Sequence, residues 1–279
     1  MDSRSQVPSA VAAFLLGSLG WMVVVGMVTW LAMLGVALAS GATFADFQAT
    51  PEAWMSPGVM GFSALVQSAG IGAITVALAQ TFADEPVRDA IAGPVRSPWL
   101  GWVLCGAAGA LTVGFLPGWI ASRIVERFPE VGGALGVVAE AMQSEAPFGK
   151  ALLVLAICVT APIFEEVAFR GYLWHQLEQV LPSWAVWLAT TLLFTLYHLD
   201  PVQSPSLLPT ALFLGWLRWR SGSIVPAIVG HFVNNGLACI ALLTASGTAD
   251  AEIGFAGAAL GTLATVLCCG VAWWAHPRS

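Results

Sequence analysis

The sequence predicts an all-α integral membrane protein, a bundle of about eight transmembrane helices around a polar cavity inside the bilayer. Three observations predict it. Of 279 residues, 58% are hydrophobic and only 9% charged, where soluble domains carry about a quarter charged residues. Eight apolar stretches fall at about 10–40, 58–82, 98–121, 150–177, 182–199, 205–219, 223–246 and 252–275, to be set against the roughly 20 residues a spanning helix needs. The connections are short, with one exception, and no repeat or composition shift marks a second unit. Residues 1–279 therefore read as one integral membrane domain.

The first stretch contains Ala37-Leu38-Ala39, which resembles a signal-peptide cleavage site. Its apolar run is far longer than a signal h-region, and Arg4 is the only basic residue before it, so it reads as a retained helix. The long connection, residues 123–150, holds seven charges and the pattern VGGALGVVAEAM, which suits a short amphipathic helix on the membrane surface. With the N-terminus inside, Arg4, Arg88, Arg96, Arg218, Arg220 and Arg278 fall on the inner side and Arg123, Arg127 and Lys150 on the outer. That bias places both termini in the cytoplasm. The net charge of −6 is spread over the loops, and no basic tract points to nucleic acid. Cysteines 105, 158, 239, 268 and 269 follow no metal-binding spacing and read as small buried apolar residues.

Chemistry concentrates in residues 160–236. The segment APIFEEVAFRGYLWHQL (161–177) puts Glu165, Glu166 and Arg170 into an apolar run, where each charge costs roughly 2.5–3.5 kcal/mol on insertion scales. Glu166 and Arg170 are four apart and can pair on one helix face. Glu165 is rotated by about 100° from Glu166 and can face another surface. A purely structural charge cluster accounts for the pair and leaves Glu165 unexplained. Pro162 removes a backbone N–H and frees a carbonyl. In LLFTLYHLDP (192–201), Phe194 and His198 share a face and Asp200-Pro201 ends the helix. In SGSIVPAIVGHFVNNG (221–236), Ser223 caps a helix with Pro226 in its first turn, and His231 and Asn235 share a face. His198 alone also suits a helix end, and His231 with Asn235 also suits helix–helix hydrogen bonding. His175 and His276 are weaker candidates.

Converging, Glu165, His198, His231 and Asn235 would form a polar pocket in a dry bundle. Such a set suits amide hydrolysis. Glu165, with His198 alongside, can hold and deprotonate a water. His231 and Asn235 are donors suited to the oxyanion of a tetrahedral intermediate. The Glu166–Arg170 pair would fix the helix that presents Glu165. There is no HExxH, no paired aspartate, and the nearest approach to a serine-hydrolase elbow, Gly61-Phe62-Ser63-Ala64, fails the Gly-x-Ser-x-Gly pattern.

These three segments resemble the CPBP family of intramembrane endopeptidases, which includes the type II CAAX prenyl proteases and bacterial relatives. That family is marked by Glu-Glu-x-x-x-Arg, Phe-x-x-x-His and His-x-x-x-Asn on successive membrane helices. Here they are Glu165-Glu166 with Arg170, Phe194 with His198, and His231 with Asn235. The resemblance implies a glutamate-dependent endopeptidase in an eight-helix bundle, with Glu165 and His198 activating water and His231 and Asn235 holding the oxyanion. Two versions stay open: one without a cofactor, and one with zinc held by Glu165, His198 and His231. Asn235 is an odd neighbour for zinc and a natural oxyanion donor, which favours the metal-free version. The implied partner, besides the lipid bilayer, is a membrane-anchored protein or peptide substrate, cut near its C-terminal end. Eukaryotic members trim prenylated C-terminal tripeptides; bacterial relatives are linked to peptide maturation, bacteriocin self-immunity and processing of C-terminal anchors. The lack of organelle signals and the Ala/Gly/Val/Leu-rich makeup fit a bacterial inner (cell) membrane.

Strict alternation of eight spans sends His198 to the outer side while His231 lies part-way along its helix from the inner side. Either the stretch at about 205–219 does not fully span, or the polar loop 200–206 dips into a cavity, and the need for water favours the cavity. Two rivals remain. A proton- or ion-coupled transporter also uses buried Glu and His, although repeats are not visible. A non-catalytic scaffold would not need Glu165, His198, His231 and Asn235 intact.

Overall fold

In a computed structural model, residues 3–82, 86–92, 99–131, 133–144, 146–244 and 254–275 are described. The chain is an all-α membrane protein. Its helices are α1 (Ser3–Ala39), α2 (Phe44–Ala49), α3 (Pro57–Phe82), α4 (Val87–Ala92), α5 (Trp99–Val113), α6 (Phe115–Arg127), α7 (Gly133–Gln143), α8 (Pro147–Glu178), α9 (Ser183–Tyr197), α10 (Gln203–Ser221), α11 (Val225–Thr244) and α12 (Phe255–Ala275). Each of the eight apolar stretches contains a helix among its described residues. Six helical spans among the described residues are long and apolar enough to cross a membrane: Arg4–Ala39, Pro57–Phe82, Leu100–Arg127, Pro147–Glu178, Val225–Thr244 and Phe255–Ala275.

The exact count of eight is not confirmed, and two of the apolar stretches fall outside these six for physical reasons. The 15 residues of α9 rise about 22 Å at 1.5 Å per residue, short of a hydrocarbon core of about 30 Å. α10 ends on Arg218 and Arg220, both buried, and it packs against α5, α6, α9 and α11 rather than facing lipid all round. The pair α9–α10 is thus a hairpin whose α10 arm is covered by protein while α9 keeps an exposed apolar face, as in Leu192 and Leu196, and the short α9 does not by itself carry His198 to the far surface. The polar loop expected over 200–206 is also shorter, because α10 begins at Gln203. Asp200 Oδ1 accepts from the Val202 and Gln203 N–H groups at 2.8 and 2.6 Å and so caps α10.

Two helix groups meet along α8 and α11. In one, α1 packs on α3 and α3 on α8; in the other, α5 packs on α10, α11 and α12. Within lipid, close contact rather than water exclusion holds helices together, and small residues permit it. At the α3–α8 crossing a Cβ on Gly61 would lie 2.7 Å from the Leu153 backbone nitrogen, so only glycine lets the chains meet there. The core beneath the site is aromatic: Phe14 of α1, Phe169 and Tyr172 of α8 and Phe194 of α9 are buried together. The outer faces are apolar, as in Leu16 of α1 and Val271 of α12.

The connection 123–150 does contain a short helix, α7. It is not simply a surface element: Ala141 and Met142 are buried beside Leu153 of α8 and Cys239 of α11. Outside the spans, the Thr43 hydroxyl and then the Thr43 backbone N–H hold the Asp46 carboxyl below its ordinary range at the start of α2. All five cysteines are free thiols, with Cys105, Cys158 and Cys239 buried.

Candidate active site

The site is built on α8, which is not a regular helix. Two π-helical stretches, Ala156–Thr160 and Val167–Leu173, flank the α-helical Ala161–Glu166. Such widened turns cluster at functional sites. The first one accommodates Pro162. There the Ala161 N–H reaches back five residues to Ala156 O. The next donor in that register would be Pro162, for Ile157 O, and proline has no N–H. Asn235 of α11 supplies the missing donor: its Nδ2 lies 2.9 Å from Ile157 O.

That contact gives an expected result. Asn235→Ala leaves a carbonyl without its donor and should cost about 1–3 kcal/mol of stability, read as thermal unfolding in detergent. Pro162→Ala returns a backbone N–H, so Pro162→Ala with Asn235→Ala should unfold at a higher temperature than Asn235→Ala alone.

Glu165 and Glu166 do face different surroundings. Glu166 is fully buried, and its Oε1 lies 3.0 Å from Arg170 Nη1. Arg170 is fully buried too; its Nη2 donates to Ala211 O of α10 at 3.2 Å, and its guanidinium sits 4.2 Å from the centroid of the Phe194 ring. The same Glu166 Oε1 lies 3.0 Å from His231 Nδ1. Glu166 therefore joins α8 to α11 as well as pairing with Arg170, a link that spacing alone did not reveal. Glu165 keeps 17% side-chain exposure, and its Oε2 lies 3.9 Å from His231 Nε2. The His231 ring thus stands between the two carboxylates. With Nδ1–H given to Glu166, Nε2 is its free position, accepting in the neutral ring and donating when the ring carries a second proton.

His198 caps the end of α9, and its Nδ1 lies 3.0 Å from Phe194 O. A proton on Nδ1 there leaves Nε2 as an acceptor. Leu199, next to it, has φ of 48°, a left-handed conformation unusual for leucine, which turns the chain sharply after His198. The two imidazoles share the Phe194 ring, with centroids 5.2 Å away for His198 and 5.9 Å for His231. Glu165 and His231 are therefore in direct proximity, His198 touches the same Phe194 ring as His231, and Asn235 sits one turn beyond His231, tied to the π turn.

The other candidates lie apart. His175 pairs with Glu178 at 3.8 Å near the end of α8. Ser63 accepts from the Thr29 hydroxyl at 2.7 Å and is engaged with α1. His276, like Arg96 and Arg278, lies outside the described residues. Two polar residues were missed: Gln67 of α3 donates through Nε2 to the Tyr197 hydroxyl, beside His198. A lone amide in the middle of an apolar span was the available signal. Among the described residues, no three His, Cys, Asp or Glu side chains are grouped so as to hold a metal ion.

Residues 147–237 match the family model described as type II CAAX prenyl endopeptidase Rce1-like. That segment is similar to the Rce1-like family over about a third of the chain. This agrees with the resemblance to the CPBP endopeptidases: the matched segment is similar to a protease family, and it lies in a chain with six helical spans long and apolar enough to cross a membrane among the described residues. The matched segment runs from the start of α8 into α11 and contains Glu165, Glu166, Arg170, Phe194, His198, His231 and Asn235. It leaves out α1 and α3, which pack against it. No curated protein and no solved structure matches the chain.

Proposed function

We propose that the protein is a glutamate-dependent intramembrane endopeptidase that hydrolyses a peptide bond near the membrane-anchored or lipidated C-terminal end of a protein substrate. The observation that carries this reading is the placement of Glu165. The charge of Arg170 is taken by Glu166, while Glu165 stays partly accessible and faces His231 Nε2 at 3.9 Å, within the Rce1-like match.

Glu165, assisted by His198, takes a proton from water as the water oxygen attacks the scissile carbonyl. His198 suits that task because its Nδ1 is held by Phe194 O and its Nε2 accepts. The oxyanion is met by Asn235, whose second N–H is left after the bond to Ile157 O, and by Nε2–H of doubly protonated His231. Glu166 keeps the His231 ring in place through Nδ1. Collapse of the intermediate breaks the C–N bond, and the proton held by Glu165 goes to the leaving amine.

The steps use side chains alone. The place of Asn235, an odd neighbour for zinc and a natural oxyanion donor, supports that version over one with zinc held by Glu165, His198 and His231. The Lys and Arg bias supports cytoplasmic termini, and the composition a bacterial inner membrane.

The test is cleavage of a membrane-anchored peptide by purified protein in detergent, with and without a strong chelator. Cleavage that survives chelation is the expected result. Cleavage abolished by the chelator and restored by zinc would replace the metal-free version. Ion flux in liposomes without cleavage would replace the hydrolase reading with transport.

A further inference from the structure

The chain has two tyrosines, and one of them, Tyr197, immediately precedes His198 on α9. Its ring packs edge-on against Phe169, with centroids 5.4 Å apart, and stands 6.3 Å from the His198 ring. Its hydroxyl accepts a hydrogen bond from Gln67 Nε2. Gln67 lies well inside the apolar span Pro57–Phe82, where an amide is costly unless it is paired. Its partner lies across the bundle, 130 positions along the chain. Phenols both accept and donate. Gln67 uses the accepting side, which leaves the Tyr197 O–H proton to donate elsewhere. No hydrogen bond joins that hydroxyl to the Glu165 carboxylate among the described residues. The phenol is half-buried, and its Phe169 neighbour packs in turn on Phe194, the ring that both imidazoles contact.

A peptide entering a site at membrane depth brings backbone carbonyls that have lost water, and each needs a donor. We infer that Tyr197, oriented by Gln67, donates a hydrogen bond to a backbone carbonyl of the bound peptide next to the scissile bond and so sets its register against Glu165. This rests on the hydrolase reading of the site. It assigns a substrate-positioning role to Tyr197, and to Gln67 of α3, outside the Rce1-like match, the task of holding it.

The experiment uses the full chain in detergent micelles and a fluorogenic peptide with a farnesylated cysteine four residues from its C-terminus. Cleavage and saturable binding are both measured for wild type, Glu165→Gln, Tyr197→Phe, Gln67→Leu and the Tyr197→Phe/Gln67→Leu double variant. Tyr197→Phe keeps the ring and its packing but leaves the Gln67 amide without its acceptor, so its melting temperature should fall modestly, while the double variant, which carries no unpaired amide, should match wild type. Its KM should rise about three- to tenfold, the effect of one lost neutral hydrogen bond, with kcat within about twofold. Gln67→Leu should raise KM similarly and add nothing to Tyr197→Phe, since both remove one interaction. A purely structural role would shift melting and leave KM alone.

Two outcomes overturn the inference and are distinguishable. If wild type cleaves, Glu165→Gln does not, and Tyr197→Phe keeps the wild-type KM, only the role of Tyr197 falls. If wild type neither cleaves nor binds the peptide saturably, the hydrolase reading for this substrate class falls and the inference falls with it.

Discussion

Glu165→Gln is expected to lower kcat by about 10²- to 10⁴-fold with KM nearly unchanged, the range for losing a general base. The substitution conserves volume, so the α8 backbone and the Glu166–Arg170–His231 cluster should remain. Only the ability to take a proton is lost. A thousandfold loss corresponds to about 4 kcal/mol of barrier, far more than an exposed or partly exposed carboxylate contributes as an ion-pair partner. The size of the effect therefore decides between two roles. If Glu165 served only as an electrostatic neighbour of His231, 3.9 Å away, kcat would fall less than tenfold. Stopped-time cleavage at saturating substrate reads the difference, and a loss below tenfold would remove Glu165 from the proton-transfer step. Melting in the same detergent guards against a trivial cause, since a variant that unfolds early would lose rate for another reason.

The helical stretches were legible because apolar length is a strong signal, and the three polar segments because charge and imidazole are rare in such runs. The number of crossings was not legible. α9 and α10 read as spans by composition, but one is short and the other is covered by protein, and coverage is a tertiary property. Spacing also anticipated the Glu166–Arg170 pair, because residues four apart on a helix meet. It did not anticipate that Glu166 also holds His231, since that contact joins residues 65 positions apart. Pro162 signalled a freed carbonyl. Only the π register of α8 shows which carbonyl it is and that Asn235 answers it. Gln67 lay in a span with no motif near it, and its partner Tyr197 was hidden beside a histidine that drew the attention. In each case the local signal was present and the long-range partner was not.

The largest effect on stability should come from splitting the buried pair. Glu166→Gln leaves the Arg170 guanidinium, fully buried, without its counter-charge, and Arg170→Met leaves the Glu166 carboxylate with His231 alone. Breaking one side of a buried ion pair costs about 3–5 kcal/mol, because the remaining charge has no water to return to. Arg170 is further fixed by Ala211 O and by the Phe194 ring, so it cannot swing out to the surface. Both single variants should unfold at much lower temperature in detergent. The double variant Glu166→Gln/Arg170→Met carries no buried lone charge and should recover most of that loss, a non-additivity that the pair itself generates. Activity is expected to behave differently. In the double variant the side-chain amide oxygen introduced at position 166 can still accept from His231 Nδ1–H, but the carboxylate that supports a doubly protonated ring is gone, so cleavage should stay at least about tenfold below wild type. Recovery of both stability and rate in the double variant would mean that Glu166 only holds helices together. Recovery of stability without rate would place its charge in the support of His231, and would explain why two acids rather than one stand side by side on α8.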